Sequence, residues 1–214
     1  MKRLRNILIF GLTLGLFACN SSADRQEKSV VQKSFTVDSN KKTELQTETT
    51  SVKDLRDDCV RGQAEPIIKK TVFSNTKFIL QPNSLTAIET VIFDNGDKLT
   101  IKNWGCEYYT LTFRFETSRF QDDTSNIQYW YKKTVLLVSE LYKGLDAPID
   151  IKKGVDNLIN HIDLDMLNNY ANLKFGQEID FGGDEIRDFV TLEKVERLAD
   201  KKFAITISFS TGPL

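Results

Sequence analysis

Ala87-Ile88-Glu89-Thr90-Val91-Ile92-Phe93, Asp94-Asn95-Gly96-Asp97 and Lys98-Leu99-Thr100-Ile101-Lys102 are two runs rich in β-branched residues, separated by an Asn-Gly turn signal. Asn-Gly favours a two-residue type I′ turn, whose central residues both need positive φ, so the stretch predicts a β-hairpin. In that register Ile92 faces Leu99, Thr90 faces Ile101, and Glu89 pairs with Lys102 on the opposite face. Glu107 to Glu116 extends the hairpin into a third strand. There Tyr109, Leu111, Phe113 and Phe115 alternate with Tyr108, Thr110, Thr112, Arg114 and Glu116. A further strand is expected upstream at Thr76 to Leu80.

Downstream the period changes from two to about 3.6. After the polar loop Gln121 to Asn126, a helical stripe of Ile127, Tyr131, Val135, Val138 and Leu141/Tyr142 runs to a stop at Gly144. A second helix is expected from Asp146, with Pro148 in its first turn and Ile151, Val155, Leu158, Ile159 and Ile162 inside. It is expected to break at Asp163 and resume toward Tyr170. Alternation returns at Phe175, Ile179 and Phe181, at Ile186 to Val195, and at Phe203, Ile205, Ile207 and Phe209. Strands, then helices, then strands predict an α+β domain: an antiparallel sheet with two or so helices gathered on one side. Chain order leaves the strand order open.

At the other end, Lys2, Arg3 and Arg5 precede an uncharged apolar run, Ile7 to Ala18. That run is too short to span a bilayer as a helix, which takes roughly 20 residues, and has the layout of a secretory signal peptide. Leu16-Phe17-Ala18-Cys19 resembles the lipobox of bacterial lipoprotein precursors. The resemblance covers the leader alone. It implies removal of residues 1–18 as signal peptide, diacylglycerol on the Cys19 sulfur, a palmitate-type acyl group on the new amino terminus, and membrane attachment through lipid. Asn20 is not the Asp that commonly retains such proteins at the inner membrane. The implied location is therefore the outer membrane of the cell envelope, facing the periplasm. Residues 19–58 are mostly polar, with apolar residues scattered singly, and are expected to form a lipid-anchored flexible tether to one globular domain at 59–214.

The chain has 29 basic and 30 acidic side chains, and losing the leader would leave 26 against 30. Such a mildly acidic protein has no basic surplus for nucleic acid. With Cys19 lipidated, Cys59 and Cys106 remain, and an even pair in an exported protein reads as a disulfide. With two further cysteines and one histidine, no metal centre and no cofactor are expected.

Several motifs have plainer readings than the chemistry they evoke. Phe181-Gly182-Gly183-Asp184-Glu185-Ile186 resembles the Gly-Gly-Asp-Glu-Phe signature of diguanylate cyclases, which would imply carboxylates on metal and nucleotide. Ile186 replaces the phenylalanine, however, and an exported domain has no supply of GTP, so a glycine-rich turn is expected. Asp94 to Asp97 and His161-Ile162-Asp163-Leu164-Asp165 lack the spacing of a calcium loop and read as a turn and a helix boundary. His161 has no nucleophile elbow to serve, and no catalytic residue is assigned. Binding has better material: Trp104, Tyr108 and Tyr109 surround Cys106, and Tyr129, Trp130 and Tyr131 open the first helix. Aromatic and arginine side chains dominate binding hot spots. Tyr108, Trp130 and Arg114 are the candidate contact residues, for a protein or polymer partner in the envelope, as in an assembly factor, inhibitor or immunity-type protein. The alternative is a carboxylate- or divalent-metal-dependent envelope hydrolase, with Glu107 and Glu116 as weak candidates on opposite strand faces.

Overall fold

The computed structural model describes residues 59–168, 172–182 and 185–214. The expected leader, Cys19 and the tether lie outside the described residues, as do Tyr170, Gly183 and Asp184.

Among the described residues, seven strands form one antiparallel sheet in the order β1-β2-β3-β4-β7-β6-β5. The first four are β1 (Thr76–Leu80), β2 (Ala87–Ile92), β3 (Lys98–Trp104) and β4 (Tyr109–Thr117). Two helices follow, α1 (Ile127–Leu141) and α2 (Ile151–Met166), and then β5 (Glu178–Gly182), β6 (Arg187–Arg197) and β7 (Phe203–Gly212). The described part is thus α+β. The last strand, β7, pairs with β4 from Tyr109↔Thr211 to Thr117↔Phe203, so the N-terminal meander and the C-terminal hairpins share one sheet.

The β2–β3 hairpin forms, but in a register one residue from the expected one: Val91 faces Leu99, Thr90 faces Thr100 and Glu89 faces Ile101. The turn explains the slip. Only Gly96 takes a left-handed conformation there (φ +81°), while Asn95 does not. The Gly96 amide donates to the Phe93 carbonyl (2.9 Å), the Phe93 amide to the Asp97 carbonyl (3.0 Å), and the Asp97 amide to Asn95 Oδ1 (2.9 Å). This is a three-residue loop ending in a left-handed glycine, the usual alternative to a type I′ turn. Because strand side chains alternate, the slip exchanges faces. Ile92 is left 42% exposed and Glu89 is carried inside, 3% exposed.

Glu89 is tolerated there because its carboxylate accepts two amide N–H bonds, from Ile67 (2.7 Å) and Ile68 (3.1 Å). Desolvation holds its pKa above the ordinary carboxylate range, partly offset by those two hydrogen bonds. The extended segment so fixed also pairs with the connection between the helices: the Asp146 amide donates to the Ile67 carbonyl (2.7 Å) and the Lys69 amide to the Gly144 carbonyl (2.9 Å).

The core lies on the face carrying Leu99, Ile101, Leu111, Phe113, Phe203, Ile205, Ile207 and Phe209. Helix α1 meets it through Trp130, whose ring centre is 4.8 Å from that of Phe203. Helix α2 meets it at Gly154, where a Cβ would come within 2.7 Å of the Phe209 ring. The α1 stripe is turned from the expected one, burying Trp130, Thr134 and Leu137 beside Tyr131, Val138 and Leu141. Helix α2 starts at Ile151 rather than Asp146, because the Asp150 side chain caps it by accepting the Lys153 amide (2.9 Å). It continues through Asp163 without a break, and Ile159 lies outside its buried stripe. Among the described residues no helix is long and apolar enough to cross a membrane.

Candidate functional site

The sheet face opposite the helices is paved with hydroxyls where β4 and β7 pair. Thr110 faces Ser210 and Thr112 faces Ser208, with hydroxyl oxygens 3.0 and 3.2 Å apart. On β7 the alternation places Ala204, Thr206, Ser208 and Ser210 opposite the apolar row. The row through Thr110 and Ser210 is continued by Trp104 on β3 and Phe189 on β6. Adjacent strands are about 4.8 Å apart, so the two aromatic walls stand about 15 Å apart across a serine-threonine floor.

Tyr108 closes one end of this groove, 40% exposed, with its ring centre 6.3 Å from that of Phe189 in an edge-to-face arrangement. Trp104 is similarly exposed and is fixed by its indole N–H, which donates to Thr112 Oγ1 (3.0 Å), and by Lys102, whose ammonium lies 4.4 Å from the ring centre. Arg187 stacks on Phe189, 4.7 Å from the ring centre, and donates to Asp180 (2.7 Å) and Glu178 (2.6 Å). The hydrogen bond to Arg187 holds the Asp180 carboxyl below its ordinary range. The groove encloses about 450 Å³ and also has Glu107 and Glu178 on its border.

The loop carrying Tyr108 is held in three ways. The Cys59–Cys106 disulfide ties it to the start of the described chain, with Cα atoms 5.3 Å apart. Gly105 has φ +102°, and a side chain there would collide with the Tyr108 carbonyl, so glycine is required. The Leu214 amide donates to the Glu107 carbonyl (2.7 Å).

The three candidate contact residues do not form one patch. Tyr108 is at the groove. Arg114 shares its face but lies six residues along, about 20 Å away, and is engaged by Glu116. The placement of Trp130 near the surface is corrected: it is fully buried on the helix side, and its indole N–H donates to the Asp123 carbonyl (2.8 Å). A large aromatic with its one polar group satisfied is core material. Tyr131 lies in the core beside it, while Tyr129 is partly buried.

The acidic motifs are occupied locally. Asp97 accepts Thr117 Oγ1 (2.9 Å) and Asn95 Nδ2 (3.1 Å), and Asp165 accepts the amides of Asn172 and Leu173 (3.2 and 3.0 Å). Among the described residues, no three His, Cys, Asp or Glu side chains gather to hold a metal. Sequence reasoning overlooked Arg187 and Phe189, which reach Trp104 and Tyr108 only through the β4–β7–β6 pairing. The signal that could have found the groove is the small polar row of β7, paired with the threonines of β4. No protein-family model matches the chain, and none of the curated proteins or solved structures compared with it matches either.

Proposed function

We propose that this protein is a lipid-anchored envelope protein whose folded part is a binding module, not an enzyme, taking an extended polymer or protein segment into the groove between Trp104 and Phe189. The observation that carries the reading is the groove itself: the exposed rings of Trp104 and Tyr108 and the partly buried ring of Phe189 stand around the buried Thr110–Ser210 pair, with Arg187 stacked on Phe189. Stiff aromatic surfaces supply contact area at low entropic cost. Anchorage at Cys19 rests on the Leu16-Phe17-Ala18-Cys19 sequence, and the Cys59–Cys106 disulfide supports an oxidising compartment.

The test is crosslinking and affinity capture of the full chain from its own envelope, compared with the double variant Trp104→Ala, Tyr108→Ala. We expect capture of the partner to fall at least about tenfold, as for loss of two hot-spot residues, with the unfolding midpoint little changed. Unchanged capture would sink the groove reading. Incorporation of labelled palmitate that is lost on Cys19→Ser checks the anchor separately.

A further inference from the structure

A second concavity, of about 630 Å³, is lined by Arg61, Gln63, Asn103, Tyr109, Asp146 and Thr211 among others. Its floor is preorganised. Arg61 Nη2 donates to Asn103 Oδ1 (2.7 Å), Nη1 donates to the Gly105 carbonyl (3.4 Å), and the guanidinium carbon sits 4.4 Å from the centre of the Tyr109 ring. Asn103 and Tyr109 are themselves buried, and Asn103 Nδ2 donates to the Glu65 carbonyl (3.3 Å). The cation is thus held from behind by neutral groups.

None of those contacts neutralises it. Arg114, Arg119 and Arg187 each have a carboxylate partner, whereas Arg61 has none among the described residues. A guanidinium carries five donors, and the two bonds to Asn103 and Gly105 leave others to serve an incoming group. Half-burying such a charge without a counter-charge is unfavourable, and desolvation lowers the Arg61 pKa accordingly. An anion seated on Arg61 would relieve that cost, and a carboxylate matches the planar fork.

The rim restricts which anion fits. Glu65 and Asp146 border the same cavity, so a multiply charged anion such as phosphate would meet repulsion, whereas an ammonium group on the ligand would be attracted. Pro66, Ile67 and Ala147 add an apolar wall. We propose that this cavity binds a short zwitterionic peptide, with Arg61 holding the terminal carboxylate and Glu65 and Asp146 receiving the ammonium. The site is separate from the aromatic groove, and neither reading depends on the other.

The test is calorimetric titration of the full, oxidised chain with four probes: the dipeptide Ala-Ala, its carboxamide, its N-acetyl derivative and inorganic phosphate. Saturable binding of Ala-Ala is expected, with at least about tenfold weaker binding of the carboxamide and of the N-acetyl form, as for loss of one charge-assisted contact. Arg61→Met is expected to weaken Ala-Ala by a similar factor, and Arg61→Lys to restore part of it. If Arg61→Met does not fold, the comparison of probes on the unaltered chain decides. The proposal is overturned if Ala-Ala does not bind saturably, if either blocked dipeptide binds as tightly, or if phosphate displaces it.

Discussion

Replacing Glu89 by alanine removes the acceptor for two buried amides, those of Ile67 and Ile68. Unsatisfied buried donors cost about 1–3 kcal/mol each, so urea unfolding of Glu89→Ala should show a loss of about 2–6 kcal/mol. Its titration gives a second, signed expectation. The folded-state pKa is raised, chiefly by desolvation, so between the ordinary carboxylate value and the raised one the folded chain holds a proton that the unfolded chain has released. Stability from this group is therefore fully present at low pH and declines as pH rises through that window. Relative to Glu89→Gln, the unaltered chain should lose stability as pH rises from the ordinary glutamate value, about 4.3, through the raised one; a parallel profile for the two would show that Glu89 does not titrate in this way. None of this was legible in Ala87 to Lys102, where a glutamate opposite a lysine reads as a surface pair. The same inversion befalls Trp130, whose neighbours in sequence place it near a boundary and whose neighbours in space place it in the core.

At the scale of elements, local patterns carried most of the information. Strands β1 and β4 lie within two residues of their alternating runs, β7 starts with its run and continues three residues past it, and α1 starts immediately after the Asn126 cap, whose side chain accepts the Tyr129 amide (3.2 Å). These features are read from neighbours along the chain, where propensity and periodicity act directly. The errors fell where a local signal had two outcomes: Asn-Gly supports either a two- or a three-residue loop, and Asp146 and Asp150 are both acceptable caps. Helix α2 owes its approach to the sheet to Gly154, which has the Phe209 and Phe181 rings beside it. Gly154→Val would force a side chain into that contact, and a loss of about 1–3 kcal/mol is expected from thermal unfolding despite removal of a helix glycine. A neutral or stabilising result would mean that the rings yield freely.

Across the whole molecule, the Cys59–Cys106 bridge, spanning 47 positions, joins the start of the described chain to the loop that carries Tyr108. On the chain-entropy model it contributes about 4 kcal/mol, so the double variant Cys59→Ser, Cys106→Ser should lose about that much in denaturant titration, as should the reduced protein. Sequence alone determined the α+β class, the cysteine pair and most element positions, because each follows from composition or from contacts a few residues apart. The candidate groove was half legible: Trp104 and Tyr108 stand together around Cys106, but Phe189 and Arg187 lie some eighty residues on. Only the tertiary structure decided that β7 would pair with β4, and that the β2–β3 hairpin would put Glu89 inside. Strand order and register depend on burying one continuous apolar face while satisfying every backbone donor beneath it, a condition met by residues far apart in the chain.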